Sequence, residues 1–287
     1  MSGDLITLVG TGIQTAGVWA LTLLMFLTAR ALKLSYLRTW TLGWLWLAIA
    51  LSALQVSFRV PAWSLVFQPL YHFGELAFLW CLGLGIGRAG GGDRPPRALS
   101  PYLVPAVLVS MILPWATPSF TASFVVQASL LAAGFLGVFV VLHKASRDWG
   151  GNLGLWITKT ALILLSLDFA FHAMALGGFL VGGLPLPPAY SGFTSLYDFL
   201  FEMVLAFGLV VLALQDAASR IRTLTRLLPV CAWCRKVRDD QGYWSEFELW
   251  VKSQGQLSVT HGICPACKER TLSELELNPA PKDRAPG

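Results

Sequence analysis

Four cysteines near the end of the chain carry its clearest chemical spacing, Cys231-Ala-Trp-Cys234 and, after an insert of folded length, Cys264-Pro-Ala-Cys267. Each C-x-x-C turn is short enough to aim both sulfurs at one point, and four thiolates at about 2.3 Å from a common centre make the closed tetrahedron of a structural Zn²⁺ site. His261 stands three residues before Cys264, the same interval as between Cys264 and Cys267. A Cys₃His set with His261 in place of Cys267 therefore competes with Cys₄, which is the commoner ribbon arrangement. The insert 235–260 has room for a hairpin and a short helix, so the expected module is zinc-ribbon-like, α+β and small. Zinc is the expected cofactor. The fifth cysteine, Cys81, lies in an apolar run, so no disulfide framework is in view, and ligand thiols need a reducing compartment.

The stretch Leu227-Leu-Pro-Val-Cys231-Ala-Trp-Cys234-Arg-Lys236-Val-Arg238-Asp239-Asp240-Gln-Gly242-Tyr243-Trp244, followed by His261-Gly262-Ile-Cys264-Pro265-Ala-Cys267, resembles a tail that closes many bacterial sensory proteins. There it usually follows a PAS or receiver domain; here it follows apolar segments directly. The likeness reaches back into the preceding helix (Ala218 to Leu228), covers about a fifth of the chain and implies a signalling context, without implying an activity for the tail itself.

A second set of chemically capable residues sits inside apolar runs. His72 and Glu75 are at i, i+3, Asp168 and His172 at i, i+4, and Asp198 and Glu202 at i, i+4. On helices each pair shares a face. An ionisable side chain at the bilayer centre costs roughly 2.5–3.5 kcal/mol on insertion scales, so such residues turn inward and pair. Four carboxylates against two histidines leave negative charge to be neutralised by protons, a metal or a cationic ligand. His with carboxylates suits several divalent transition metals, and a bis-histidine haem on His72 and His172 is a weaker alternative. The bland alternative is a polar network between helices, with Gln14, Gln55 or Gln127 filling the gaps.

The elements that must position these residues are membrane spans. Hydrophobic residues make up 55% of the chain and charged residues 13%, which excludes an ordinary soluble domain. A span needs roughly 17–25 apolar residues, and seven runs qualify: 5–29, 40–58, 65–87, 99–116, 122–142, 160–180 and 195–214. The first has no basic residue before it and Arg30, Lys33 and Arg38 after it, which reads as a signal-anchor. Lys and Arg concentrate in alternate loops: Arg30, Lys33 and Arg38; then Arg88, Arg94 and Arg97; then Lys144, Arg147 and Lys159. With Arg220, Arg222 and Arg226 after the last span, the positive-inside bias puts the N-terminus out and the C-terminus in the cytoplasm of a bacterial inner membrane. The polar residues then fall in the outer half. The net charge of +5 is accounted for by this bias, and no nucleic-acid partner is expected.

Several motif-like stretches are declined. Gly83-x-Gly85-x-Gly87 has no preceding strand and reads as close helix packing rather than a phosphate cradle. Gly90-Gly-Gly-Asp93 is a loop without the context of a cyclase site. Trp40, Trp44, Trp46, Trp63, Trp80 and Trp115 suit helix packing and interfaces. Pro101, Pro105 and Pro114 would kink the fourth span. No kinase box, internal repeat or Schiff-base lysine in span seven is present.

The expected architecture is an all-α polytopic membrane protein of seven transmembrane helices over residues 1–214. A linker helix over 215–229 carries Leu214, Ala217, Ile221, Leu224 and Leu228 in 3-4-3-4 spacing, a two-heptad coiled coil that would make a homodimer. The cysteine-rich module over 230–277 and a disordered tail over 278–287 complete the chain. The expected function is sensing an ion, proton or small ligand in the outer-half polar site and relaying it through helix seven to the zinc module and an unidentified cytoplasmic partner. The competing reading is an intramembrane metal-dependent hydrolase using Asp168, His172, His72 and Glu202; a non-enzymatic role is favoured.

Overall fold

A computed structural model describes residues 3–89, 100–146, 152–186, 190–225, 227–231, 233–234, 236–238, 244–245 and 258–277. The chain divides into two compact units, Met1–Gln215 and Asp216–Gly287. The first is helical: α1 (Gly3–Leu32), α2 (Ser35–Arg59), a 3₁₀ turn (Pro61–Trp63), α3 (Ser64–Ala89), α4 (Ser100–Ala116), α5 (Phe120–Ala145), α6 (Leu153–Gly182) and α7 (Tyr190–Thr225), which runs past the boundary between the units. Six of these helices, all but α4, are long and apolar enough to cross a membrane. With 17 residues and Pro105 and Pro114 inside it, α4 reaches about 25 Å at 1.5 Å per residue, short of the ~30 Å hydrocarbon core.

Local chemistry sets the helix ends. Ser119 and Asn152 cap α5 and α6, accepting from the backbone N–H of Ala122 and Leu155, which satisfies donors that the first turn leaves orphaned. Gly183 ends α6 at φ +60°, with its own N–H and that of Leu184 returned to Phe179 O and Gly178 O; glycine enters this left-handed turn without the Cβ penalty.

Among the six span-length helices α2 and α3 are the most enclosed and α1 the least. Trp40 and Trp44 are wholly buried, and Trp40 Nε1 donates to Leu82 O at 3.2 Å. Gly85 lies under that indole, and a Cβ there would collide with it, so the glycine run is helix packing. Leu131, Phe135, Leu162, Leu165, Leu205 and Leu209 continue the core into α5, α6 and α7. The outer surface is as apolar as the core: Trp63, Ile112, Trp115, Trp156, Met174 and Val181 are all more than half exposed. A soluble protein does not leave so much apolar surface to water, and lipid is the solvent that fits it.

The second unit holds a four-stranded sheet in the order β3-β2-β1-β4, from β1 (Leu227–Cys231), β2 (Val237–Arg238), β3 (Trp244–Ser245) and β4 (Ser258–Gly262), followed by α8 (Pro265–Leu277). β1 pairs antiparallel to β2 at Val230↔Val237 and parallel to β4 from Leu227↔Ser258 to Cys231↔Gly262. The expected hairpin is β2–β3. The expected linker helix to residue 229 is cut short, because α7 ends at Thr225 and Leu227 and Leu228 open β1. Pro229 accounts for this: it disfavours helical backbone at Leu228, and the 3-4-3-4 pattern loses its last position. The side chains of Ile221 and Leu224, the 90–99 loop, Arg147 and the 278–287 tail lie outside the described residues.

Candidate functional sites

In the C-terminal unit the two cysteine pairs reach one point by different means. Cys231 ends β1 and its N–H donates to Lys236 O at 2.8 Å, which closes the turn that carries Cys234. The second pair is not on a matching knuckle. Cys264 immediately precedes α8, its carbonyl accepting from Lys268 N at 2.9 Å, and Cys267 is in the first helical turn. Pro265 takes the first helical position, where its missing N–H costs nothing, and the positive end of the helix faces the thiols.

All four sulfurs lie within 4.8 Å of one another. Cys234 Sγ and Cys264 Sγ are 3.7 Å apart, far beyond the ~2.05 Å of a disulfide and close to the ~3.8 Å edge of a tetrahedron with 2.3 Å metal–sulfur bonds. Cys231 Sγ accepts from the backbone N–H of Cys234 and Cys264 at 3.4 and 3.3 Å. Burial pushes the Cys231 thiol up, but those backbone donors outweigh it and bring it down to about 6, whereas burial and the neighbouring sulfurs push Cys267 up to about 12. A cluster with one sulfur already favouring thiolate and backbone N–H groups on the sulfur fits a Cys₄ metal site. His261 pairs with Val230 on β4; its side chain lies outside the described residues.

In the helical unit the six ionisable residues expected to form one site are divided among three local networks. The first joins α3 and α5. His72, wholly buried, places Nε2 3.2 Å from Ser123 Oγ, and Ser123 Oγ donates to Phe120 O. The serine therefore accepts from Nε2–H, and Nδ1 is left without a hydrogen-bond partner. Gln127 Nε2 donates to His72 O at 3.0 Å and to Glu75 Oε2 at 3.4 Å, and the Tyr71 hydroxyl meets the same carboxyl. The second network joins the first and last spans through Gln14 Nε2, which donates to Glu202 Oε1 at 3.1 Å. The third joins α6 and α7: His172 Nδ1 is 2.9 Å from the Tyr190 hydroxyl and Nε2 is 3.1 Å from Asp198 Oδ1, with Asp168 Oδ2 at 3.9 Å.

His72 thus pairs with a serine rather than a carboxylate. It is also kept from His172 by a succession of rings, His72–Phe120–Phe124–His172, with centroids 6.0, 6.0 and 5.9 Å apart. The bis-histidine haem arrangement is absent, because phenylalanine rings occupy the interval that the macrocycle needs. Asp168, His172 and Asp198 do offer three ligand atoms within 4.8 Å. Gln14 and Gln127 fill gaps as expected, and Gln55 Nε2 donates to Thr11 instead.

Glu75, His172, Asp198 and Glu202 line a shared cavity of about 230 Å³. It is walled by the N-terminal halves of α1, α3, α5 and α7 and the C-terminal halves of α2 and α6, which is one end of an up-and-down bundle. Tyr71, Tyr190 and the phenylalanines of the wall escaped sequence reasoning. Tyr71 precedes Glu75 by one helical turn and Tyr190 precedes Asp198 by about two, so the same face rule reaches them once tyrosine is counted as a polar partner. Comparison with known protein families, curated proteins and solved structures finds no match to this chain.

Proposed function

We propose that this chain is a bacterial inner-membrane sensor. Its polar cavity binds a ligand, ion or proton, and the outcome is relayed along α7 to a cytoplasmic zinc-binding module that acts on a partner. The observation that carries this reading is the ownership of the cavity's groups: Tyr190, Asp198 and Glu202 all belong to α7, the helix that runs unbroken to Thr225. A ligand that prefers one setting of these groups shifts α7 by its differential affinity and by no more than that. In this reading α4 is the seventh span, its short length met by local thinning or by Pro-induced distortion. The N-terminus is outside and the cysteines are inside, following the Lys/Arg bias. The tail's resemblance to those of sensory proteins supports the same assignment.

The test is a spin label at Arg222 in full-length protein in nanodiscs, read as the distance across a homodimer. It should change between about pH 5 and pH 8 or on adding Zn²⁺ or Ni²⁺, and Glu202→Gln should alter the response. A distance that stays fixed under all these conditions removes the relay. Orientation is checked separately: a cysteine at Ser119 should react with an impermeant thiol reagent in intact cells, and one at Gly91 should not.

The hydrolase reading retains Asp168 and His172, now with Asp198, as three potential metal ligands. It loses His72 and Glu202, which are committed to Ser123 and Gln14. Metal-dependent hydrolysis of a peptide or ester by purified protein, abolished by Asp198→Asn, would favour it over sensing.

A further inference from the structure

Glu202 is 6% exposed, and its Oε2 has no hydrogen-bond partner among the described residues although Oε1 accepts from Gln14. A carboxylate oxygen shut away from water and left without a donor is costly, so its retention on the wall of a cavity points to a donor that arrives from outside the chain. A cationic donor would also balance the site: Glu75, Asp198 and Glu202 line the cavity, and among the described residues neither Lys nor Arg lines it.

The rest of the wall distinguishes between kinds of cation. A metal ion would be served by Asp168, His172 and Asp198, but Glu202 is not within that ligand set, and the rings of Phe120, Phe124, Phe135 and Phe169 that line the same space offer a transition metal no ligand atom. Aromatic faces attract ammonium groups through their quadrupoles, more strongly where water is excluded. From Thr121 to Phe135, both lining residues on α5, the cavity follows about 21 Å of helix at 1.5 Å per residue. On α3, Phe78 follows Glu75 by about one helical turn, and Leu131 and Leu165 line the same space. A volume of about 230 Å³ falls just below the ~300–1,000 Å³ typical of drug-sized sites, which sets the ligand as small.

We propose that the cavity is a receptor site for an organic amine: a primary or secondary ammonium carried on a small apolar body, donating to Glu202 Oε2, flanked by phenylalanine faces, with the body resting on Phe78, Leu131 and Leu165. This inference rests on the sensor reading and names the ligand class for it.

Two probes test it on full-length protein in nanodiscs by calorimetry and thermal unfolding: 2-phenylethylamine, and 2-phenylethanol as its neutral counterpart. The amine should bind, raise the unfolding temperature and exceed the alcohol in affinity by roughly tenfold or more. Glu202→Gln should remove that preference by weakening the amine far more than the alcohol. Where Glu202→Gln fails to fold, Phe124→Leu, which keeps an apolar wall but removes a π face, should weaken the amine more than the alcohol. Equal affinities for amine and alcohol in the folded wild type, or no amine binding at millimolar concentration, overturn the proposal. Zn²⁺ binding to the helical unit in the absence of amine binding overturns it in favour of a metal site and leaves the sensor reading standing. Amine binding with an unchanged Arg222 label distance supports the receptor site and removes the relay instead.

Discussion

The His172 imidazole of α6 is held at both nitrogens by α7, with Nε2 3.1 Å from Asp198 Oδ1 and Nδ1 2.9 Å from the Tyr190 hydroxyl. One side chain thereby fixes two points on α7 about two helical turns apart, and a rotation or slide of α7 against α6 disturbs both bonds together. Further along the same pair of helices, a Cβ on Gly208 would meet Thr158 Oγ1 at 2.7 Å, so the backbones pack closely there. This combination gives α7 a tight contact towards one end and a hydrogen-bonded, exchangeable one at the cavity.

Replacing His172 with Leu leaves the Asp198 carboxylate and Tyr190 hydroxyl without their shared partner, and the helical unit should lose about 1–3 kcal/mol. His172→Gln retains a donor and an acceptor and should lose less. Thermal unfolding in detergent, followed by tryptophan fluorescence, should rank wild type above His172→Gln above His172→Leu. Equal stability of all three would mean that the two bonds contribute nothing net.

The cysteine unit should contain one zinc per chain, and its folding should depend on it, because a segment this small buries little apolar surface unaided. Cys234→Ser should lose the metal by elemental analysis and expose the segment after Thr225 to protease, as should chelation of the wild type. Cys81→Ser should change neither result, since Cys81 is remote in sequence, buried in α3 and outside the cysteine cluster. A chelated tail that resists protease would contradict the coupling of metal to folding.

The helices were legible because a single physical signal, long apolar runs, dominates their sequence, although α4 is not among the six long and apolar enough to cross a membrane. The runs at 65–87 and 99–116 correspond to α3 (Ser64–Ala89) and α4 (Ser100–Ala116) within a few residues. The convergence of Cys231, Cys234, Cys264 and Cys267 was legible from spacing alone, but the helical setting of the second pair was not, since C-x-x-C spacing is the same on a knuckle and across a helix start. Pairing of the intramembrane residues was only half legible. Face sharing within a helix follows from i, i+4 spacing, whereas the choice of partner depends on helix rotation, which the sequence of one chain does not encode locally. His72 therefore met Ser123 rather than a carboxylate.

Close packing at Gly85 gives a paired prediction. Its Cβ site is occupied by the Trp40 indole, itself wholly buried, while the Cβ site of Gly12 has no atom within 4 Å. Gly85→Ala should cost about 1–3 kcal/mol by overpacking. Gly12→Ala should be neutral or stabilise α1 by up to about 1 kcal/mol through the lower entropy cost of alanine in a helix. Unfolding in detergent for the two variants side by side measures the difference, and an equal response would argue that Trp40 moves aside freely.

The last prediction concerns Gln14 and Glu202, which tie the first span to the last through Nε2 and Oε1 at 3.1 Å. Gln14→Leu leaves both oxygens of Glu202 without a partner in the cavity wall, Oε2 being unpartnered already, so it should destabilise the fold by more than the bond alone is worth. Glu202→Leu removes the carboxylate as well as the bond and, in a membrane-facing bundle, should cost less than Gln14→Leu. The double variant should be no worse than Gln14→Leu, because the group stranded by the first substitution is then absent. The coupling energy from this cycle should lie near the ~0.6 kcal/mol average for interhelical hydrogen bonds in membranes and below about 2 kcal/mol. Steric-trap or denaturant unfolding of the four proteins provides the measurement. Strict additivity would place Gln14 and Glu202 in separate environments, whereas a negative cost for Glu202→Leu would show that this carboxylate is kept for binding at the expense of stability.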